Sequence, residues 1–184
     1  MRNHFLERIK ASIPPPDAPV YARDATGWLE VEKVLGAALP QDYKDFVSAY
    51  GSGLLCGYIR IFNPFDESPN FNLFSESERV LKSYSALRLE HPMRRPVGVF
   101  PNPCGIFPWG ETTEGEHFYW MTNGTSGEWP VFAIDDSRDR CVIFGMGFSK
   151  FVDALLRDQV DLSFVMSSHS TSKSFVPRSI GVAS

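Results

Sequence analysis

Between Val97 and Arg140 stand seven carboxylates, Glu111, Glu114, Glu116, Glu128, Asp135, Asp136 and Asp139, and only two bases, Arg138 and Arg140. The segment is more negative than the whole chain, whose net charge is −4. Most of these acids fall in or beside runs of turn residues, Thr112-Thr113-Glu114-Gly115 and Asp135-Asp136-Ser137. Adjacent hairpin turns can share one end of a sheet. A carboxylate cluster there can imitate a phosphate backbone and meet the basic cleft of a nucleic-acid-processing protein, speeding encounter and selecting partners. The plain alternative is that these are solvated turn residues, the default state of surface charge. Tryptophan is a frequent interface anchor. The candidate partner-binding set is therefore Glu111, Glu114, Glu116, Asp135, Asp136 and Asp139, with Trp109 and Trp129.

Reactive chemistry finds less support. Glu114, Glu116 and His117 are close in sequence, but on a strand Glu116 and His117 point to opposite faces and cannot hold one ion without a bulge. His4, His91 and His169 are isolated in sequence, and a metal site needs several convergent ligands. Gly124-Thr125-Ser126-Gly127 lacks the spacing of a nucleophile elbow. Gly51-Ser52-Gly53 has no following Lys-Ser or Lys-Thr and is not a phosphate loop. Nothing in the sequence activates Cys104. The expectation is a protein without catalytic centre, metal or cofactor.

Composition narrows the class. The 184 residues make one domain the simplest reading, and 15 Phe, 6 Tyr and 4 Trp suffice for a core. The acidic balance argues against nucleic acid as a direct partner. No apolar run reaches the length of a membrane span, and MRNHFLERIKASIPPP has no apolar signal core; a cytoplasmic protein is expected. Cys56, Cys104 and Cys141 are too few and too scattered for a disulfide framework, and each is read as a buried thiol.

These residues must be positioned by a set of helices followed by a set of strands. A short helix is predicted over 4–13, stopped by Pro14, Pro15 and Pro16; a linker follows over 14–24. Trp28, Val31, Val34 or Leu35, and Leu39 recur at helical spacing from Thr26 to about Ala38. Pro40 suits the first position of a second helix, Tyr43, Phe46, Val47 and Tyr50 give its buried face, and Gly51 ends it. Leu54–Phe62 reads as one strand. Ser75 and Glu78 form a capping box for a third helix with Val80, Leu81, Tyr84 and Leu87 inward. Four short runs, 106–109, 118–122, 131–134 and 141–144, predict an antiparallel meander, and a last helix spans Ser149 to about Arg157. Residues 166–184 are polar and Ser-rich, which predicts a disordered tail. The organisation is an extension over 1–23, a domain over 24–165 and that tail. The fold class is α+β, a single mostly antiparallel sheet with helices packed on it.

Several of these pieces occur in the order of one family: W-x-x-V-E-x-x-L-G-x-x-L-P-x-D-Y-K-x-F from Trp28 to Phe46, Tyr50-Gly51-x-Gly53, Phe107-Pro108-Trp109-Gly110, Gly115-Glu116-His117-Phe118-Tyr119-Trp120 and Phe148-x-x-Phe151. Over roughly residues 24–160 the chain resembles the SUKH superfamily, in its Smi/Knr cell-wall-regulator-like branch. The resemblance implies an α+β fold and a binding role. Bacterial members are largely immunity proteins that neutralise a cognate toxin of a polymorphic toxin system, often a nuclease; fungal relatives are regulatory interaction proteins. It also implies no established catalytic centre. Trp28, Leu39, Pro40, Tyr43 and Gly51 are read as fold determinants. The extension and the tail inherit nothing from the match.

Overall fold

The computed structural model describes residues 3–135, 140–163 and 172–179. The elements run α1 (His4–Ser12), α2 (Ala25–Leu35), α3 (Gln41–Tyr50), β1 (Gly53–Leu55), β2 (Ile59–Ile61), α4 (Leu73–Glu90), β3 (Ile106–Thr112), β4 (His117–Met121), a 3₁₀ turn (Ser126–Glu128), β5 (Val131–Asp135), β6 (Arg140–Ile143), α5 (Phe148–Leu156) and β7 (Phe175–Pro177). The strands form one antiparallel sheet in the order β6-β5-β4-β3-β2-β1-β7. This is the α+β arrangement expected.

Local chemistry sets the helix ends. The Asn3 side chain accepts from the Leu6 N–H at the start of α1, and the Asp24 side chain accepts from Thr26 and Gly27 at the start of α2. Gly36 closes α2 in the left-handed region at φ 73°. Pro40 caps α3 from outside its first turn. The family-like segment holds these two helices together. Glu32 accepts from the Leu39 N–H at 2.9 Å and from Lys44 Nζ at 2.6 Å, pinning the turn between them. Trp28 donates to Ser48 Oγ, and Tyr43 donates to the Phe62 carbonyl at 2.5 Å. A Cβ on Gly51, at φ 67°, would fall 2.2 Å from the Val20 carbonyl oxygen.

Two unequal cores lie on the two faces of the sheet. On one, α1, α2, α3 and α5 cover Phe107, Trp109, Phe118, Trp120, Val131 and Ala133. On the other, α4 lays Val80 and Tyr84 over Ile106, Tyr119 and Phe132. The assignment of β3 side chains to faces depends on a bulge. Its pairing with β4 slips between Pro108 and Gly110, so Trp109 stays with Phe107 on the aromatic face while Glu111 turns to the α4 face.

Several expectations are corrected. Leu54–Phe62 is a hairpin, β1 and β2, reversed by Cys56 and Gly57, both at positive φ (55° and 67°). The helix expected from Ser75 starts at Leu73 with Asn72 as its cap, because the Asn72 side chain accepts from both Phe74 and Ser75 N–H groups. Leu87 is 39 % exposed and does not complete the buried stripe. The extension over 1–23 contributes to the domain, since Leu6, Ile9 and Ile13 are buried in the larger core. The tail expected to be disordered from 166 contains β7, which extends the sheet beyond β1; residues 164–171 and 180–184 lie outside the described set. Of the three cysteines only Cys56 is buried, where burial pushes its thiol up to about 11; Cys141 is partly exposed and Cys104 exposed.

Candidate functional site

The antiparallel register gathers turns at one end of the sheet. Thr112 pairs with Ile59, Glu111 with His117, and Asp135 with Arg140. The β1–β2 turn, the β3–β4 turn and the final residues of β5 are therefore neighbours at that end, and Glu128 is at the other. Thr112 ties the β3–β4 turn by donating from Oγ1 to Glu116 Oε2 at 2.5 Å and accepting from the Glu116 N–H at 3.0 Å. Glu114 is exposed and hydrogen-bonded to Tyr58 of the neighbouring turn. The Thr113 N–H reaches the Tyr58 carbonyl at 3.0 Å.

Beneath this rim lies an ion network that sequence reasoning missed. Glu111, only 8 % exposed, receives His117 Nε2 at 3.1 Å and Arg79 Nη2 at 3.1 Å on Oε1, and Arg60 Nη2 at 3.2 Å on Oε2. Arg79 also grips buried Glu76 through Nε (2.9 Å) and Nη2. Arg60 donates Nη1 to the Asn70 carbonyl at 2.9 Å. Two buried carboxylates thus meet two guanidinium groups, which removing water from the carboxylates requires. Burial pushes the Glu111 carboxyl up, but the His117 hydrogen bond and the charges of His117, Arg79 and Arg60 outweigh it and hold it below its ordinary 4.5. The β3 bulge is what aims Glu111 here. A two-residue alternation from Trp109 would have put both side chains on one face, so the sequence carried no direct signal.

Between α4 and the β4–β5 surface a cleft of about 270 Å³ opens, lined by Arg79, Ser83, Leu87, Glu116, His117, Tyr119 and Ile134 among others. One wall is the i, i+4, i+8 row of α4, the other the sheet face left uncovered by that single helix. Ile143, on β6 further along the same face, is 54 % exposed. His117 faces Glu111 and the Arg79 guanidinium.

The expected partner-binding residues separate. Glu114 and Glu116 are at the rim of the cleft. Glu111 is withdrawn into the ion network, and its expectation as a surface group is corrected. Trp109 is fully buried and Trp129 is 5 % exposed, so both are core rings; Trp109 packs against Phe118, Phe148 and Phe151. The Asp135 backbone reaches the same end of the sheet, and Asp136 and Asp139 lie outside the described residues. Among the described residues no group of three His, Cys, Asp or Glu side chains is placed to hold a metal ion, and no helix is long and apolar enough to cross a membrane.

No curated protein and no solved structure matches the chain. A family model does: SUKH_6, described as SMI1-KNR4 cell-wall, over residues 26–152. The matched span runs from the start of α2 into α5. It leaves out α1, which packs on α5 and α3, and β7, which pairs with β1. The chain belongs to the SUKH_6, SMI1-KNR4 cell-wall family.

Proposed function

We propose that this is a cytoplasmic immunity-type protein that neutralises a cognate toxin domain by stoichiometric binding, without turnover. The observation that carries this reading is the sheet end where Glu114 and Glu116 rim the α4 cleft over a neutralised, fixed ion network. A concavity rimmed by the Glu114 and Glu116 carboxylates suits a protein partner bearing a basic cleft, such as a nuclease. Rim charges act mainly on association rate and on discrimination between partners. Family membership supports a protein-binding role in general, and a toxin is the partner proposed for it.

Co-expression with the neighbouring open reading frame tests it. The expected result is a 1:1 complex that survives gel filtration and abolishes the neighbour's toxicity. A neighbour that is harmless alone, or toxicity unrelieved by this chain, would instead support a regulatory or scaffold binder without a toxin.

A further inference from the structure

The outer edge of β1 is paired with a segment of the chain's own tail. β7 pairs Phe175 with Leu55, Val176 with Leu54 and Pro177 with Gly53, and the ladder is continued by Cys56 N–H to the Ser174 carbonyl (2.7 Å) and Arg178 N–H to the Ser52 carbonyl (2.9 Å). Phe175 and Arg178 each have a prepared seat, while Val176 and Pro177 face solvent. The Phe175 ring lies 5.1 Å from that of Tyr50 and 6.1 Å from that of Phe46. Gly53 supplies the notch: a Cβ there would stand 2.4 Å from the Val176 carbonyl oxygen and 2.6 Å from the Phe175 ring. Arg178 lies over Tyr21 and Phe71 and donates Nη1 to Asp66 Oδ1 at 2.5 Å.

Asp66 is the telling residue. Its side chain is fully buried, and Oδ1 already accepts the Ser68 N–H. Oδ2 is buried without a hydrogen-bond partner among the described residues. The tail's arginine therefore engages one oxygen of a carboxylate that can accept a bidentate guanidinium. A strand whose arginine met both oxygens would hold the site better than the tail does. β7 itself has only three residues and lies outside the family-matched span.

We infer that the β1 edge is a strand-acceptor site for an extended partner segment bearing an aromatic residue and, three positions later, an arginine, and that residues 175–178 keep it closed until such a segment displaces them. Backbone pairing gives affinity in this mode and the side-chain seats give selectivity.

The probe is a fluorescein-labelled peptide of residues 172–179, SKSFVPRS, titrated into the full-length chain and followed by polarisation. The tethered tail competes at an effective concentration of roughly a millimolar, so wild type binds the peptide weakly. Arg178→Glu sets a carboxylate against Asp66 and expels the tail, and the peptide then binds at least ~10-fold more tightly. Phe175→Ala, which empties the aromatic seat and leaves the Asp66 pairing in place, is the second variant and shifts affinity the same way. Replacing the arginine of the peptide by glutamate abolishes binding to both. Variants with native circular dichroism that bind no more tightly than wild type, or a peptide indifferent to loss of its arginine, would overturn the inference. Should both variants unfold, wild type decides: excess peptide raises deuterium uptake over 172–178 and leaves 53–56 protected, and unchanged uptake over 172–178 refutes the site.

Discussion

The two faces of the sheet are built on different principles. The face under α1, α2, α3 and α5 is closed by rings: Tyr43, Phe46, Trp109, Phe118, Trp120, Phe148 and Phe151 are all fully buried, and most meet edge-on or stacked. The face under α4 has a smaller apolar cluster, a network of Arg60, Glu76, Arg79, Glu111 and His117, and an open cleft. Apolar burial scales with area and needs no partner of matching charge, whereas buried ions break even at best. Stability is therefore concentrated on the ring face, and the α4 face carries the cleft proposed to bind a partner.

The largest effect that separates the faces is expected at Trp120. Trp120→Ala removes a fully buried ring and costs about 3–5 kcal/mol in urea unfolding. Glu111→Ala, on the other face, leaves Arg60 and Arg79 without their shared carboxylate but still within reach of water, and costs about 1–2 kcal/mol. A Glu111→Ala loss equal to that of Trp120→Ala would break the comparison, because the network would then hold the fold as firmly as the rings do.

Acid should distinguish the faces as well. The Glu111 carboxyl titrates below its ordinary 4.5 in the folded protein, so its stabilisation is present above 4.5 and is lost as pH falls through the folded value. Asp42, in the ring-face layer, has the opposite sign. Burial pushes its carboxyl above 3.8 despite hydrogen bonds from the Ser149 and Tyr43 N–H groups, so its contribution is greatest in acid and declines as pH rises from 3.8 through the folded value. Unfolding followed from acid to neutral pH should show Glu111→Gln flattening the loss of stability in acid, and Asp42→Asn steepening the gain of stability as pH rises. The smallest stability effect belongs to the rim. Glu114→Gln with Glu116→Gln should leave unfolding within about 0.5 kcal/mol of wild type, as surface changes do.

Much of the ring face was legible in the sequence, and little of the α4 face was. Trp28 with Val31, and Tyr43 with Phe46 and Tyr50, announce the buried faces of two helices through spacing alone, and the four strands of the meander follow from aromatic runs between turns. Cys56-Gly57 is not a customary hairpin pair, so β1 and β2 read as one strand. Ser75 and Glu78 imitated a cap that Asn72 supplies. The burial of Glu111 depends on a bulge and on counter-ions contributed by β2 and α4, neither of which has a local signature. β7 was hidden in a Ser-rich stretch because three residues, seated by Gly53 and Asp66, suffice when the rest of the sheet already exists.

The central claim is that binding of the proposed toxin partner belongs to the α4 cleft, while stability is concentrated on the ring side. It is tested most directly by the association rate of the cognate partner, measured against ionic strength for two double variants. One is Glu114→Gln with Glu116→Gln at the cleft rim. The other is Leu29→Ala with Val34→Ala, which removes the two exposed apolar side chains of α2, 68 % and 76 % accessible, on the helical layer of the opposite face. The rim variant should associate more slowly and with a shallower salt dependence, and the α2 variant should match wild type. Slower association of the α2 variant with an unaffected rim variant would contradict the account.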